Sequence, residues 1–203
     1  MRTLAIVFSL LALATAVASA DTFRAEPNLA IPDNNPAGIT DTLSASPSCT
    51  MNDVDIVLEI DHTWVGDLII TIQHAGNTVT IVDRPGRAPG GTNVGCSADM
   101  ACVRQVILDD ETAGNPPPAI ECAAPSSCTV CFPGGQVPAQ SFIPNGALTA
   151  FDSSDQAGDW IISVSDNEGL DTGTICAWEV RTTCGPSAVE PTTWGTIKAR
   201  YSK

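Results

Sequence analysis

The sequence predicts an all-β protein, a jelly-roll β-sandwich stapled by disulfides. Three observations carry this. Apolar and polar residues alternate with a period of two in VDIVLEID, NTVTIVD and GDWIISVSD. No segment beyond residue 20 sustains a 3.6-residue apolar period. The regular stretches are short and divided by Gly, Pro and Asn turns, and eight cysteines stand outside the N-terminal apolar run.

Taken in order, the chain opens with MRTLAIVFSLLALATAVASA. One charge, Arg2, precedes an apolar run that ends in Ala18-Ser19-Ala20. That pattern marks a secretory signal over 1–20, cleaved after Ala20. Asp21 follows, not Cys, which argues against a bacterial lipid anchor. No later apolar run approaches the roughly 20 residues of a membrane span. The expectation is a soluble exported protein, secreted or held at the cell surface.

Residues 21–48 are rich in Pro, Asn, Asp and Ser and read as an extended lead-in. Strands follow. Val54, Ile56, Leu58 and Ile60 alternate with Asp55, Val57, Glu59 and Asp61. Leu68, Ile70 and Ile72 repeat the pattern after a break at Gly66-Asp67, and Val79 and Ile81 resume it after Ala75-Gly76-Asn77. That is a hairpin pattern. From Arg84 to Asn145, runs such as RPGRAPGGTNVG and NPPPAIECAAPSSC are loop chemistry, with CVRQVILDD as a strand among them. Regularity returns after Asn145-Gly146. Trp160, Ile162 and Val164 are expected on one face, as are Cys176, Trp178 and Val180, with DNEGLDTG as the turn between. Residues 185–203 read as a linker and C-terminal tail. Its TTWGTIKARYSK carries both lysines and the tyrosine and is either a disordered end or a sorting tag.

About 180 residues remain after cleavage, room for one domain with a proper core. The formal charge is -14, and loss of Arg2 makes the mature chain one unit more negative. An acidic body repels phosphate backbones, so nucleic acid is a poor partner. Its acids suit a cation, a basic partner or solubility.

An even cysteine count in an exported chain reads as disulfides. Cys96, Cys102, Cys122, Cys128 and Cys131 cluster, while Cys49, Cys176 and Cys184 lie apart. Cys49 with Cys184 would staple an early strand to the last one, and Cys96 with Cys102 would close a small loop. Eight cysteines allow about a hundred pairings, so connectivity stays open. The rival is zinc on Cys128-x-x-Cys131 with Cys96 or Cys102, a pattern that lacks a second well-spaced pair.

HTWVGDLIITI and NGALTAFDSSDQAGDWIISVSDNEGLDTGTICAWEV resemble the P domain (Homo B domain) of furin- and kexin-type proprotein convertases and bacterial secreted subtilisin-like serine proteases. IPDNNPAGIT is similar to that family's opening segment. The resemblance covers roughly Asn28 to Cys184. It rests on H-T-aromatic-x-G-D-L, G-D-W and D-x-G before a Trp strand, in that order. It implies a galactose-binding-domain-like jelly roll over 28–184, following a lead-in at 21–27. The Cys-rich stretch, about 86–142, departs from the family pattern as an insert. The resemblance also implies a binding or stabilising role beside a serine protease. No Gly-Thr-Ser motif with a following Met or Ala, no His-Gly motif and no triad Asp motif accompany it. The expectation is a non-catalytic, proteolysis-linked module. Its partner is a protein of unknown identity, either a secreted subtilase or a cell-surface component. Serine endopeptidase activity would then reside in another chain. The reading from a different class is an adhesive or carbohydrate-binding surface module.

DHTWVGDL carries the candidate site. Asp61 beside His62 suggests a general base, but strand neighbours point to opposite faces. Asp61 therefore cannot orient the ring as a triad requires, and no catalytic residue is assigned. His62 and Thr63 read instead as hydrogen-bonding residues that lock the turn through Gly66 and Asp67, and His74 is expected in solvent. Asp67 would meet Asp166, Glu168 and Asp171 if the two loops share one end of the sandwich. Those carboxylates would then need a cation or hydrogen-bond donors among them. Calcium is the cofactor they would take; aspartates bonding their own turns are the alternative. Trp160 and Trp178 are expected in the core, with Trp64 the aromatic available to a sugar. Asp109-Asp110-Glu111 reads as a solvated loop.

Overall fold

A computed structural model of the chain describes residues 19–87, 95–113, 119–120, 132 and 134–185. The residues before Ser19, where the signal is expected, Cys122, Cys128, Cys131 and the tail from residue 186 lie outside them. The period-two segments form ten strands: β1 Ser19–Ala25, β2 Leu29–Ile31, β3 Asn35–Ala45, β4 Met51–His62, β5 Leu68–His74, β6 Asn77–Asp83, β7 Val106–Leu108, β8 Ser141–Phe142, β9 Gly158–Asp166 and β10 Gly173–Cys184. They make an all-β sandwich of two sheets. The larger runs β1-β10-β4-β7-β8, with β2 also on β10, and the smaller runs β3-β9-β5-β6. Among the described residues, no helix is long and apolar enough to cross a membrane.

The inward faces follow the alternation. Ile56, Leu58, Ile60, Trp178 and Val180 of the larger sheet and Ile70, Ile72, Trp160, Ile162 and Val164 of the smaller are fully buried in one core. Each such side chain contributes about 1.5–3 kcal/mol on burial. The β5–β6 hairpin turns through Ala75 and Gly76, both at positive φ, as a two-residue hairpin requires.

Two expectations are corrected. First, β10 bulges between Ile175 and Ala177, so Cys176 opposes no residue of β4. Ile175, Trp178 and Val180 enter the core, while Cys176 does not share their face. The bulge thus re-aims Cys176 toward the Ala101–Arg104 turn. Second, Cys102 bonds Cys176 rather than Cys96, with Cα atoms 5.9 Å apart. This also removes Cys102 from any zinc set. The Cys49–Cys184 bond forms as expected and ties the approach to β4 to the end of β10.

The lead-in is more than extended chain. β1 pairs β10 from Ser19↔Cys184 to Ala25↔Trp178. Asp21, the first residue after the expected cleavage, accepts the Gln156 side-chain amide at 2.8 Å. Arg24 donates to Glu59 at 2.8 and 2.9 Å and to Glu179 at 2.7 Å, joining three strands on the outer face.

Candidate functional site at one end of the sandwich

The end of β4, the short 3-10 turn Val65–Asp67, the residue after β6 and the β9–β10 connection meet at one end. Two glycines permit the meeting. A Cβ on Gly66 would collide with the Cys96 amide and lie 2.8 Å from the Gly95 Cα. A Cβ on Gly173 would collide with the Asp61 carbonyl and lie 2.6 Å from the His62 ring. The glycines of the VGD and DTG runs are therefore there for close backbone crossings.

His62 is buried in the middle of this end. Its Nε2 lies 3.3 Å from Asp166 Oδ2, and its Nδ1 lies 3.0 Å from the Trp64 carbonyl and 3.2 Å from the Trp64 amide. With the proton on Nε2, the ring donates to Asp166 and accepts the Trp64 amide. Both nitrogens are occupied within the fold. Asp61 turns away and accepts the Cys102 amide at 2.7 Å. Thr63 Oγ1 donates to Asp171 at 2.6 Å.

The loop after β9 is held at every step. The Asn167 amide donates to the Asp67 carbonyl at 2.9 Å, and the Glu168 amide to Asp166 at 3.1 Å. The Leu170 amide donates to Asp33 at 3.0 Å. Arg84 Nη2 donates to Glu168 at 2.7 Å, and its Nε donates to the Gly66 carbonyl at 3.1 Å. The same Nη2 stands 3.7 Å from Asp67 Oδ1. Asp67 is 2% exposed, and that Oδ1 is buried without a hydrogen-bond partner. Burial first, then the charge of Asp166, pushes the Asp67 carboxyl up to about 7, with Arg84 pulling the other way.

The structure thus brings Asp67, Asp166, Glu168 and Asp171 to one end, the last three beside protein donors. Asp166 faces His62, Asp171 faces Thr63, and Glu168 faces Arg84. Among the described residues, clusters of three with ligand atoms within 4.8 Å of one another are Asp21/Cys49/Cys184 and Asp61/Cys102/Cys176. In both, the sulfurs are bonded to each other. The cation that stands among these carboxylates is the Arg84 guanidinium, 2.7 Å from Glu168 and 3.7 Å from Asp67, in the place the calcium expectation gave to a metal.

Sequence reasoning missed Arg84. A single arginine after a strand carries no periodic signal; the cue was the need for a cation among four acids. His74 is corrected as well. It is 3% exposed, stacks on Trp160 at 3.9 Å, and its ring nitrogens lie 3.0 and 2.6 Å from the Asp159 and Asp155 carbonyls. Placed as the last residue of β5 beside β9, it is carried inward by the sheet rather than outward. Trp160 and Trp178 are core residues away from this end, and Trp64 is half-buried. Asp109 caps the Glu111 amide at 2.7 Å. Asp55 beside it is pushed up to about 6 by burial and by Asp109 and Asp53.

No family model matches the chain, and no curated protein matches it. Among solved structures, a chain in the crystal structure of Aeromonas sobria serine protease with the chaperone is similar, at TM-score 0.50 and 13% identity. The match covers 85% of this chain and 27% of that one. A chain in the crystal structure of the Aeromonas sobria serine protease is similar at TM-score 0.48 and 13% identity, over 85% and 28%. This chain spans about a quarter of the length of those it matches, and at this identity the likeness is one of fold.

Proposed function

We propose that this chain is an exported, non-catalytic module of the P/Homo B type that binds or stabilises a serine protease carried on another chain. One observation carries the reading. The fold recurs as about a quarter of a chain from a serine protease crystal structure, while the His62 imidazole is buried and committed to Asp166 and Trp64. A general base needs an open nitrogen within reach of a nucleophile. Thr63, the nearest hydroxyl in sequence, donates to Asp171. Two disulfides suit an oxidising compartment.

The test is a fluorophosphonate labelling of the purified mature chain beside a peptide-library turnover assay. Neither labelling nor turnover is expected. Stoichiometric labelling with turnover would make the chain itself a serine hydrolase and overturn the reading.

A further inference from the structure

We infer that the β9–β10 connection is a docking knob: Leu170 seats in an apolar socket, rimmed by Lys and Arg, on a partner protein. The inference deepens the reading above and rests on it for the class of partner alone.

Leu170 combines two features that a lone fold disfavours. Its side chain is 97% exposed. Its φ is 95°, a region that is costly for any residue with a Cβ and free for glycine. The neighbouring Gly169 does not take that conformation; leucine does. Strain of this kind persists only where the surroundings over-determine the backbone, and here they do. Asp67 holds Asn167, Asp166 and Arg84 hold Glu168, Asp33 holds the Leu170 amide, and Thr63 holds Asp171. The loop is therefore ordered before any partner arrives, which removes an entropic cost of association.

Val103, 92% exposed, projects from a turn tied to the same end by the Cys102–Cys176 bond. Among the described residues these two are the exposed large hydrophobics. Asp33 holds the Leu170 amide, Asp61 holds the Cys102 amide beside Val103 and Asp171 follows Leu170, while Glu168 is ion-paired to Arg84 and Arg87, so acids outnumber the cations at this end. A socket complementary to an apolar tip in an acidic collar is apolar with a cationic rim. A second copy of this acidic chain is the wrong match.

Leu170→Gly separates folding from docking, because glycine relieves the strain while deleting the knob. The mature chain is prepared as wild type, as Leu170→Gly and with photo-leucine at position 170. Each is exposed to the secreted fraction of the producing cells. The expected result is a cross-link from position 170 into one protein's apolar pocket flanked by Lys or Arg. Leu170→Gly should bind that purified protein roughly 10- to 100-fold more weakly, as loss of one buried leucine implies, with a melting midpoint equal to or above wild type. If that protein also takes a fluorophosphonate label, the protease reading stands with the knob. If it does not, the knob stands and the protease reading falls. Equal binding of a labelled protease by wild type and Leu170→Gly would overturn the knob and leave the protease reading intact. Cross-links no more specific than those from photo-leucine on the outer face would also overturn the knob.

Discussion

Asp67→Asn tests the electrostatics of the site without changing its shape. The Asp67 carboxyl is easier to protonate in the folded chain, at about 7, than at its ordinary 3.8. It therefore takes up a proton on folding between those values. The stability it brings is full below pH 3.8, declines as pH rises, and is gone above about 7. At about 1.4 kcal/mol per tenfold change in proton affinity, the full decline is roughly 4 kcal/mol. Arg84, 3.7 Å away, can close on the ionised carboxylate, and water can enter beside half-exposed Glu168, so about half of that, ~2 kcal/mol, is expected. Asparagine cannot ionise, and Arg84 keeps its Glu168 partner at 2.7 Å. Urea or thermal melts of both proteins from pH 4.5 to 8.5 give the comparison. Near pH 4.5 the two should differ by less than ~0.5 kcal/mol. Near pH 8.5 the asparagine variant should be the more stable by ~2 kcal/mol, or about 4–8 °C for a domain of this size. Asp55, pushed up to about 6, adds its own slope, but equally to both curves. Parallel curves, or an asparagine variant that is less stable at alkaline pH, would refute the reasoning.

Removing His62 by His62→Ala should cost about 2–3 kcal/mol, because buried Asp166 loses the His62 donor and keeps the Glu168 amide; a loss under 1 kcal/mol in urea melts would count against the pair. Replacing Cys102 and Cys176 together by Ser opens a connection across 74 residues and should lower stability by roughly 2–4 kcal/mol, read from non-reducing melts. Calcium and chelator should leave the midpoint unchanged within about a degree; a rise of several degrees with calcium would show that Arg84 yields its place to a metal.

The strands were legible because their cause is local. Val54 to Ile60 and Trp160 to Val164 alternate because one face is buried, and that constraint is written residue by residue. The Cys49–Cys184 bond was one pairing among those the sequence left open, and it joins the approach to β4 to the end of β10. What failed to show were consequences of contacts distant in sequence. A bulge at Cys176 depends on what β4 presents opposite it, so strict alternation placed that cysteine on the wrong face. His74 ends an apolar strand at a turn, a position that usually faces water; here it continues the inward face of Ile70 and Ile72 and stacks on Trp160 of the neighbouring strand. Arg84 becomes part of the site because the Gly66 crossing brings its turn beside the β9–β10 loop, and nothing within ten residues of it says so.

The same contrast explains why Asp61-His62 looks catalytic in the sequence and is not arranged so in space. Adjacent strand residues diverge. The partner of His62 is Asp166, 104 residues on, and that carboxylate also fixes the Glu168 amide. The imidazole thus orients the loop that ends in Leu170, instead of being oriented for chemistry by its neighbour. Gly66 and Gly173 admit the crossings, His62 and Thr63 grip the loop's two ends through Asp166 and Asp171, and Arg84 balances the acids between them. Residue types that would serve hydrolysis in an open cleft serve here, closed on one another, to hold a strained leucine out in water.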